Sequence, residues 1–481
     1  MAEGNEGLSD FDERLLQGVL ARVWRRLAEH GDSESQLNTA ESYEELKRRL
    51  DISVRKEGVD IEELLSDIDT YVTESVNTSH PHFMNPLWGG TNVASFAGEI
   101  ITALTNTSMY TFEIAPMATL IENEMIATMA KLAGYEAGEG IFTTGGSNGN
   151  LLGLLCARDK KLPDAKFEGL RGKELVAFIS EEAHYSTIVA ANVLGIGKKN
   201  LIAVPCESSG KMDVNILEEY IAAEKRAGKI PFCVIATAGT TVKGAIDPLE
   251  DIVEICRREY IWLHVDAAWG GAALLSPKTR GLLSGIEKAD SICWDPHKMM
   301  GIPLICSVFL VRDSGTLNKV CSHTTKTAHY LFSDYSIDDD LGRKSLQCGR
   351  RVDAFKLWLA WRANGNDGWK KLVEKYFEMA SYLSEKVSQQ PLLELAAEPS
   401  LTNVCIRYTG ARLTPEKQDE ANRQIRIKLL ESNRFMVSMS LVDKRPIIRA
   451  VISNPLVSKK VIDRLLESII EIGDDVTQVE Y

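Results

Sequence analysis

Between residues 140 and 311 the chain carries seven short runs rich in β-branched and aromatic residues, apolar throughout rather than at every second position. They are GIFTT (140–144), LVAFIS (175–180), LIAVPC (201–206), FCVIATAG (232–239), IWLHVDA (261–267), SICWDP (291–296) and ICSVFLVR (305–312). A strand with one wet face alternates, whereas a strand covered on both faces reads as a continuous apolar run. Helix-like segments separate the runs, so the pattern predicts an α/β arrangement: a mostly parallel seven-stranded sheet between helices. The last two runs are joined by a connection too short for a helical crossover, which makes that pair antiparallel.

On the N-terminal side, Leu15, Leu16, Val19, Leu20, Val23 and Leu27 recur at helical intervals and predict an amphipathic helix over 11–29. Residues 41–76 look helical and polar until NTSHPHFMNP breaks the pattern with two prolines, and 98–134 is helical again. After a polar stretch from 321 to 347, a helix runs from CGRRVDAFKLWLAWRAN toward 389; TNVCIRY, FMVSMSL and PIIRAVIS, with helices between and after them, predict a smaller C-terminal α+β domain. The expected organisation is an N-terminal helical segment over 1–87, a large domain over 88–364 and a small domain over 365–481.

Composition narrows the functions available. At 481 residues and 44% hydrophobic, the chain can bury a large core and a second, smaller one. A net charge of −13 repels phosphate backbones and anionic lipid, so no nucleic acid is expected as a partner. Nothing reaches the roughly 18 continuous apolar residues of a membrane span, and the acidic start MAEGNEGLSDFDE resembles no signal peptide. The nine cysteines are odd in number, lack a Cys-x-x-Cys pair and mostly sit in apolar runs. A soluble protein of the reducing cytoplasm is expected.

In a parallel sheet, ligands bind at the carboxyl ends of the strands. GIFTTGGSNGN leads there into a helix: Gly145, Gly146 and Gly149 let backbone amides approach a ligand, Ser147 and Asn148 add side-chain groups, and the helix N-terminus favours an anion such as phosphate. The turn matches neither the Walker loop nor G-x-G-x-x-G, and a purely structural turn is its alternative. His184 in FISEEAHYS follows another strand; an isolated histidine there is ordinarily structural. Asp266 ends IWLHVDA, where a carboxylate needs donors or a cation. It either caps the next turn or partners a protonated ring nitrogen. The stretch SICWDPHKMMGIP places Asp295, Pro296, His297 and Lys298 in succession, and a desolvated lysine is a nucleophile toward an aldehyde. Asp266, Lys298 and an upstream phosphate cradle together suit one cofactor with a phosphate, an aldehyde and a basic aromatic nitrogen. That is pyridoxal 5′-phosphate, held by Lys298 as a Schiff base.

The ordered set NTSMYTFEIAP, TTGGSNGN, SEEAHYS, ATAGTTVKGAIDPL, HVDAAWGG, WDPHKMMG, YLF, QCGRRVDAFKLWLAW and RAVISNP resembles the group II pyridoxal-phosphate-dependent amino-acid decarboxylases, in the branch of glutamate and cysteine sulfinate decarboxylases. The likeness covers nearly the whole chain from about residue 40. It implies a PLP-dependent transferase fold of type I, aspartate aminotransferase-like, and a homodimer that the N-terminal segment embraces. By the same resemblance Lys298 bonds the cofactor aldehyde, Asp266 pairs with the ring nitrogen and His184 stacks on the ring. Gly146, Ser147, Asn148 and His297 hold the phosphate end, Thr241 lies close to the cofactor, and Arg449 grips the substrate α-carboxylate in bidentate fashion. Tyr330, in HYLF, corresponds to a lid tyrosine that protonates the substrate carbon after carbon dioxide leaves and that completes the neighbouring subunit's site.

Substrate choice in this branch resides largely in 85–113. Glutamate decarboxylases look like Asn-Gln-Leu-Ser there, then Asn-x-Phe; cysteine sulfinate decarboxylases put Phe for the Ser and continue with Ser-x-Tyr. This chain has NPLW and SMY, which is Trp88, Ser108 and Tyr110. A large ring at 88 shortens the pocket and favours a three-carbon acidic substrate, cysteine sulfinate or aspartate, giving hypotaurine or β-alanine. Pro86 removes an amide that both patterns carry, so glutamate and a small apolar amino acid stay open as substrates, and Lys243 restores a positive charge if it faces inward. An aldehyde synthase or aminotransferase would use the same constellation, but retention of His184 with a lid tyrosine favours decarboxylation. A nucleotide-binding module would need a Gly-Lys-Ser/Thr ending that TTGGSNGN lacks. A cofactor-less interaction protein would show loss of Lys298 or Asp266, and both are present.

Overall fold

The computed structural model describes residues 7–29, 31–322 and 340–478. Helix α1 (Asp10–Ala28) starts where the Ser9 side chain accepts from the Asp12 amide; acids in its first turn and Arg25 and Arg26 in its last complement the helix dipole. The single helix expected over 41–76 is two, α2 (Tyr43–Arg49) and α3 (Ile61–Glu74). The break has a local cause. Asp51 turns back to accept from the Ser53 amide at 3.1 Å, and Asp60 starts a fresh helix by accepting from Glu63. Arg22 and Arg25 both reach Asp69, tying α1 to α3.

A two-residue strand β1 (Phe83–Met84) follows. The helix expected over 98–134 is also divided, into α4 (Val93–Thr105) and α5 (Pro116–Leu132). Asn106 takes the left-handed conformation at φ 42° that ends α4, and Pro116 is preset for the first turn of α5.

All seven expected strands form: β2 (Glu139–Thr143), β3 (Leu175–Ser180), β4 (Leu201–Val204), β5 (Ile230–Thr237), β6 (Trp262–Asp266), β7 (Ser291–Trp294) and β8 (Ser307–Val311). Their order is β2-β8-β7-β6-β5-β3-β4. Only β8 runs against its neighbours, and one of those pairs is the β7–β8 pair anticipated from the short connection. Every residue of β2, β3, β6, β7 and β8 is buried, as continuous apolar runs require. Helix α6 (Gly146–Lys161) lies so close to the sheet that a Cβ on Gly149 would stand 2.5 Å from the Cys293 sulfur, and one on Gly153 would stand 2.6 Å from His264.

The smaller sheet contains β9 (Leu393–Leu395), β10 (Asn403–Tyr408), β11 (Met436–Val442) and β12 (Arg445–Val451) in the order β1-β11-β12-β10-β9. Its outer strand β1 therefore comes from the N-terminal segment and pairs in parallel with β11. The long helix Asp353–Ser388 joins the two parts, interrupted at Gly365 (φ 61°, ψ 177°). One apolar core runs from the large sheet through this helix into the small one, including Trp294, Leu383 and Ile448. Among the described residues no helix is long and apolar enough to cross a membrane.

Candidate active site

Because β2, β3, β5, β6 and β7 point the same way, the segments leaving their carboxyl ends meet at one edge of the sheet. They enclose a cavity of about 270 Å³. Beyond β2, Gly145 adopts φ 117°, where a side chain would be strained, and α6 begins without a side-chain cap. The amides of Asn148 and Gly149 bond back to the Gly145 carbonyl, and those of Gly146 and Ser147 belong to the first turn, which has no intrahelical acceptor to offer.

Beyond β3, His184 places Nδ1 2.9 Å from the Ser186 hydroxyl. Burial lowers its pKa, with the Asp266 carboxylate opposing. At the end of β6, Asp266 is buried; its Oδ2 accepts from Asn150 Nδ2 at 2.8 Å and its Oδ1 from the Ala268 amide at 3.1 Å. Beyond β7, the Lys298 Nζ lies 3.4 Å from Asp295 Oδ2, and His297 Nε2 lies 3.6 Å from the same oxygen. His297 Nδ1 donates to the Cys306 carbonyl, and burial holds this imidazole below its ordinary pKa. At the end of β5, the Thr237 hydroxyl is buried without a partner on the cavity wall.

The structure thus brings Lys298, Asp266, His184, Gly146, Ser147, His297 and Thr241 around one cavity. Other expected residues stand elsewhere. Asn148 lies off the lining with its Oδ1 buried and unpartnered. Arg449, on β12, stands one layer back: it donates to the Thr241 and Asn85 carbonyls and to the Ser438 hydroxyl. Leu87, not Trp88, supplies the wall of the cavity, and the Trp88 ring lies against Phe83 with centroids 5.8 Å apart. Ser108 and Tyr110 sit in the α4–α5 loop, bonded to the Arg350 and Gly342 amides. Lys243 is buried, with Nζ 3.5 Å from the Ser208 carbonyl and 3.8 Å from Glu182. Tyr330 lies outside the described residues.

Among the lining residues with no expected role are the polar side chains of Asn150, Asp295 and Thr237. Asn150 was visible as a polar residue entering the apolar face of α6, in the same GGSNGN turn. Asp295 was visible as a carboxylate three residues before Lys298.

These groups fit pyridoxal phosphate. A lysine amine for the aldehyde, a buried carboxylate for a ring nitrogen and an uncapped helix start for the phosphate all line a single cavity. Fold and site together define a pyridoxal-phosphate-dependent amino-acid decarboxylase. The pyridoxal-dependent decarboxylase conserved domain matches residues 44–409, and the chain belongs to that family. It is 38% identical to cysteine sulfinic acid decarboxylase of Mus musculus over 477 residues, 96% of each chain. It is 39% identical to the acidic amino acid decarboxylase GADL1 of Mus musculus over 445 residues, 90% of this chain and 80% of the other. The crystal structure of mouse CSAD in apo form superposes with a TM-score of 0.92 at 36% identity, covering 96% of this chain and 98% of that one.

Proposed function

We propose that this enzyme removes the α-carboxylate of a small acidic L-amino acid, with cysteine sulfinate and aspartate as the preferred substrates. The observation that carries the reading is that Lys298 and Asp266, from neighbouring strand ends, line one cavity together with the glycine turn of α6. The choice of an acidic substrate is supported by the two relatives, whose names specify cysteine sulfinic acid and acidic amino acids.

When bound, pyridoxal phosphate supplies an electron-accepting ring for the pair released as the bond from Cα to the carboxylate breaks. The protein's residues do the rest. Lys298 would hold the aldehyde end of the cofactor. Asp266 would hold a proton on the ring nitrogen, a charge interaction that favours an electron-accepting ring and so would lower the barrier selectively. His184 would cover one ring face, and Gly146, Ser147 and His297 would hold the phosphate end. Arg449 would take the substrate carboxylate on giving up the carbonyl of Thr241, a residue of the cavity wall, and Tyr330 would return a proton to the carbon.

The functional unit is a homodimer. Leu304 and Ile305 line the cavity yet are 49% and 43% exposed, and Ile100, Ile101 and Leu104 on α4 are exposed as well. A second copy covering this surface would close the site and would supply the residues at 108 and 110, which are off the cavity lining of one chain. The nine thiols are all free, which supports the reducing cytoplasm as the working compartment.

The test is direct. Protein loaded with pyridoxal phosphate is given cysteine sulfinate, aspartate, glutamate or valine, and carbon dioxide and amine are measured. Turnover of the two three-carbon acids well above the others is expected; a preference for valine or glutamate would overturn the substrate assignment.

A further inference from the structure

A buried polar chain stands behind Asp266. Trp262 Nε1 meets Ser291 Oγ at 2.9 Å, Ser291 Oγ meets His264 Nδ1 at 2.9 Å, and His264 Nε2 meets Asn150 Oδ1 at 3.0 Å. Asn150 Nδ2 then reaches both Asp266 Oδ2 at 2.8 Å and Ser186 Oγ at 2.9 Å, and Ser186 Oγ reaches His184 Nδ1 at 2.9 Å. All these residues but His184 are buried.

The protons in this chain have only one arrangement. The Asp266 carboxylate can only accept, so the Asn150 NH₂ faces it and the Asn150 oxygen faces His264, whose Nε2 must donate. Burial pushes His264 down to about 4, so the ring is neutral and its single N–H is on Nε2. Nδ1 then accepts from the Ser291 hydroxyl, which itself accepts from the Trp262 indole N–H. The same Asn150 NH₂ also faces Ser186. The Ser186 hydrogen goes in turn to His184 Nδ1, which puts the His184 proton on Nε2. Glycine at 153 makes room for this: a Cβ there would stand 2.6 Å from His264 Nδ1.

We propose that Asn150 is a positioning residue that sets Asp266 and His184 together, held in one orientation by the donor chain from Trp262 through Ser291 and His264. The proposal rests on the assignment of Asp266 and His184 to the cofactor. One amide donates to the carboxylate that meets the ring nitrogen and also to the hydroxyl that fixes the tautomer of the ring-face histidine. If the amide turns over, an oxygen faces Asp266 and both settings are lost.

The test compares His264→Phe, which removes both ring nitrogens, with His264→Gln, whose amide nitrogen can replace Nε2, and with Asn150→Leu. Pyridoxal phosphate affinity and the pH dependence of the visible absorption of the bound cofactor are read for each. Losing a hydrogen bond to a charged group corresponds to a factor of about 10 to 100. His264→Phe and Asn150→Leu should weaken cofactor binding by that factor and displace the spectral titration, and His264→Gln should recover most of both. Equal behaviour of Phe and Gln, or an unchanged spectrum and affinity alongside a lowered melting temperature, would reduce the chain to a structural role. Nitrogen-15 shifts of His264 in the wild-type holoenzyme need no variant: a neutral Nε2–H ring is expected, and an Nδ1–H ring would overturn the proposal. Borohydride treatment of the wild type separates the two readings. Absence of a pyridoxyl tag on Lys298 would sink the cofactor assignment itself, whereas a tag with variants indistinguishable from wild type would sink only the role of Asn150.

Discussion

Glu122→Gln tests how the α4–α5 loop, which would complete the site of a second copy, is held. Arg350 is buried and donates through Nη1 to Glu122 Oε1 at 2.9 Å and Oε2 at 3.1 Å, and to the Phe142 carbonyl; through Nη2 it donates to the Met109 carbonyl. Its own carbonyl and amide bond Met109 and Ser108, so this one residue fixes the segment that carries Ser108 and Tyr110. Glutamine keeps an acceptor for the Phe142 amide, which Glu122 now serves at 3.2 Å, but leaves the guanidinium without a countercharge. Breaking a buried pair on one side costs about 3–5 kcal/mol. With about 2.1 cal/mol/K of unfolding entropy per residue, a 481-residue chain loses about 3–5 °C in Tm. Calorimetry of the wild type, Glu122→Leu, Arg350→Met and the double variant Glu122→Leu/Arg350→Met closes a cycle, with Glu122→Gln measured beside it. The double variant should recover most of the loss, and KM should rise in Glu122→Gln more than kcat falls. A single-variant loss below about 1 kcal/mol, outside the range for buried pairs, would refute the reasoning.

Asp266→Asn should lower turnover by several orders of magnitude with the fold intact by circular dichroism, since each 1.36 kcal/mol of barrier is tenfold in rate; near-normal decarboxylation would contradict its role. Gly146→Ala would place a Cβ 2.7 Å from Asp295 Oδ2, so pyridoxal phosphate titrations should show weakened binding; an unchanged Kd would show that the turn has slack. Stability should fall on acidification. Burial holds His82 and His264 down to about 4, so between about 6.5 and 4 the unfolded chain takes up protons that the folded chain refuses. Asp247, pushed up to about 6, acts in the opposite sense, its stabilisation fading as pH rises from 3.8. These two groups against one contribute a loss of about 1 kcal/mol per pH unit near pH 5. His80, His184 and His297, also held down by burial, add to it, and Asp159, Asp290 and Asp353, pushed up by burial, oppose it. Urea midpoints at pH 6.5 and 5 measure it, and a higher midpoint at pH 5 would contradict it.

The large sheet was legible because complete burial leaves no alternation: LVAFIS and SICW could only be strands covered on both faces. The residues at the strand ends were legible for the opposite reason, since Asp266 and Lys298 are polar where the pattern demands apolar groups. The helix breaks at 50–60 and 106–115 were missed because they depend on short side chains, Asp51 and Asn106, whose local bonds outcompete a weak helical period. Strand β1 was invisible, being two residues long and defined only by its pairing with β11. The same limit applies to the wall of the cavity. Sequence favoured Trp88 for its size, but backbone direction decides which of two neighbours faces inward, and Leu87 lines the cavity. Asn150 gains its meaning only from His264 and Asp266, 114 and 116 residues away.

The pairing of β1 with β11 also has a cost in time. Met436 is made 353 residues after Phe83, its partner in the register. At about 5–20 residues per second on a ribosome, the first of these waits roughly 20–70 s for the second. Until then the Asn85 carbonyl, which receives both Ser438 and Arg449, has no protein donor, and the arginine assigned to the substrate carboxylate has no seat. Nascent chains therefore acquire the large sheet and its lysine well before they acquire the grip on substrate.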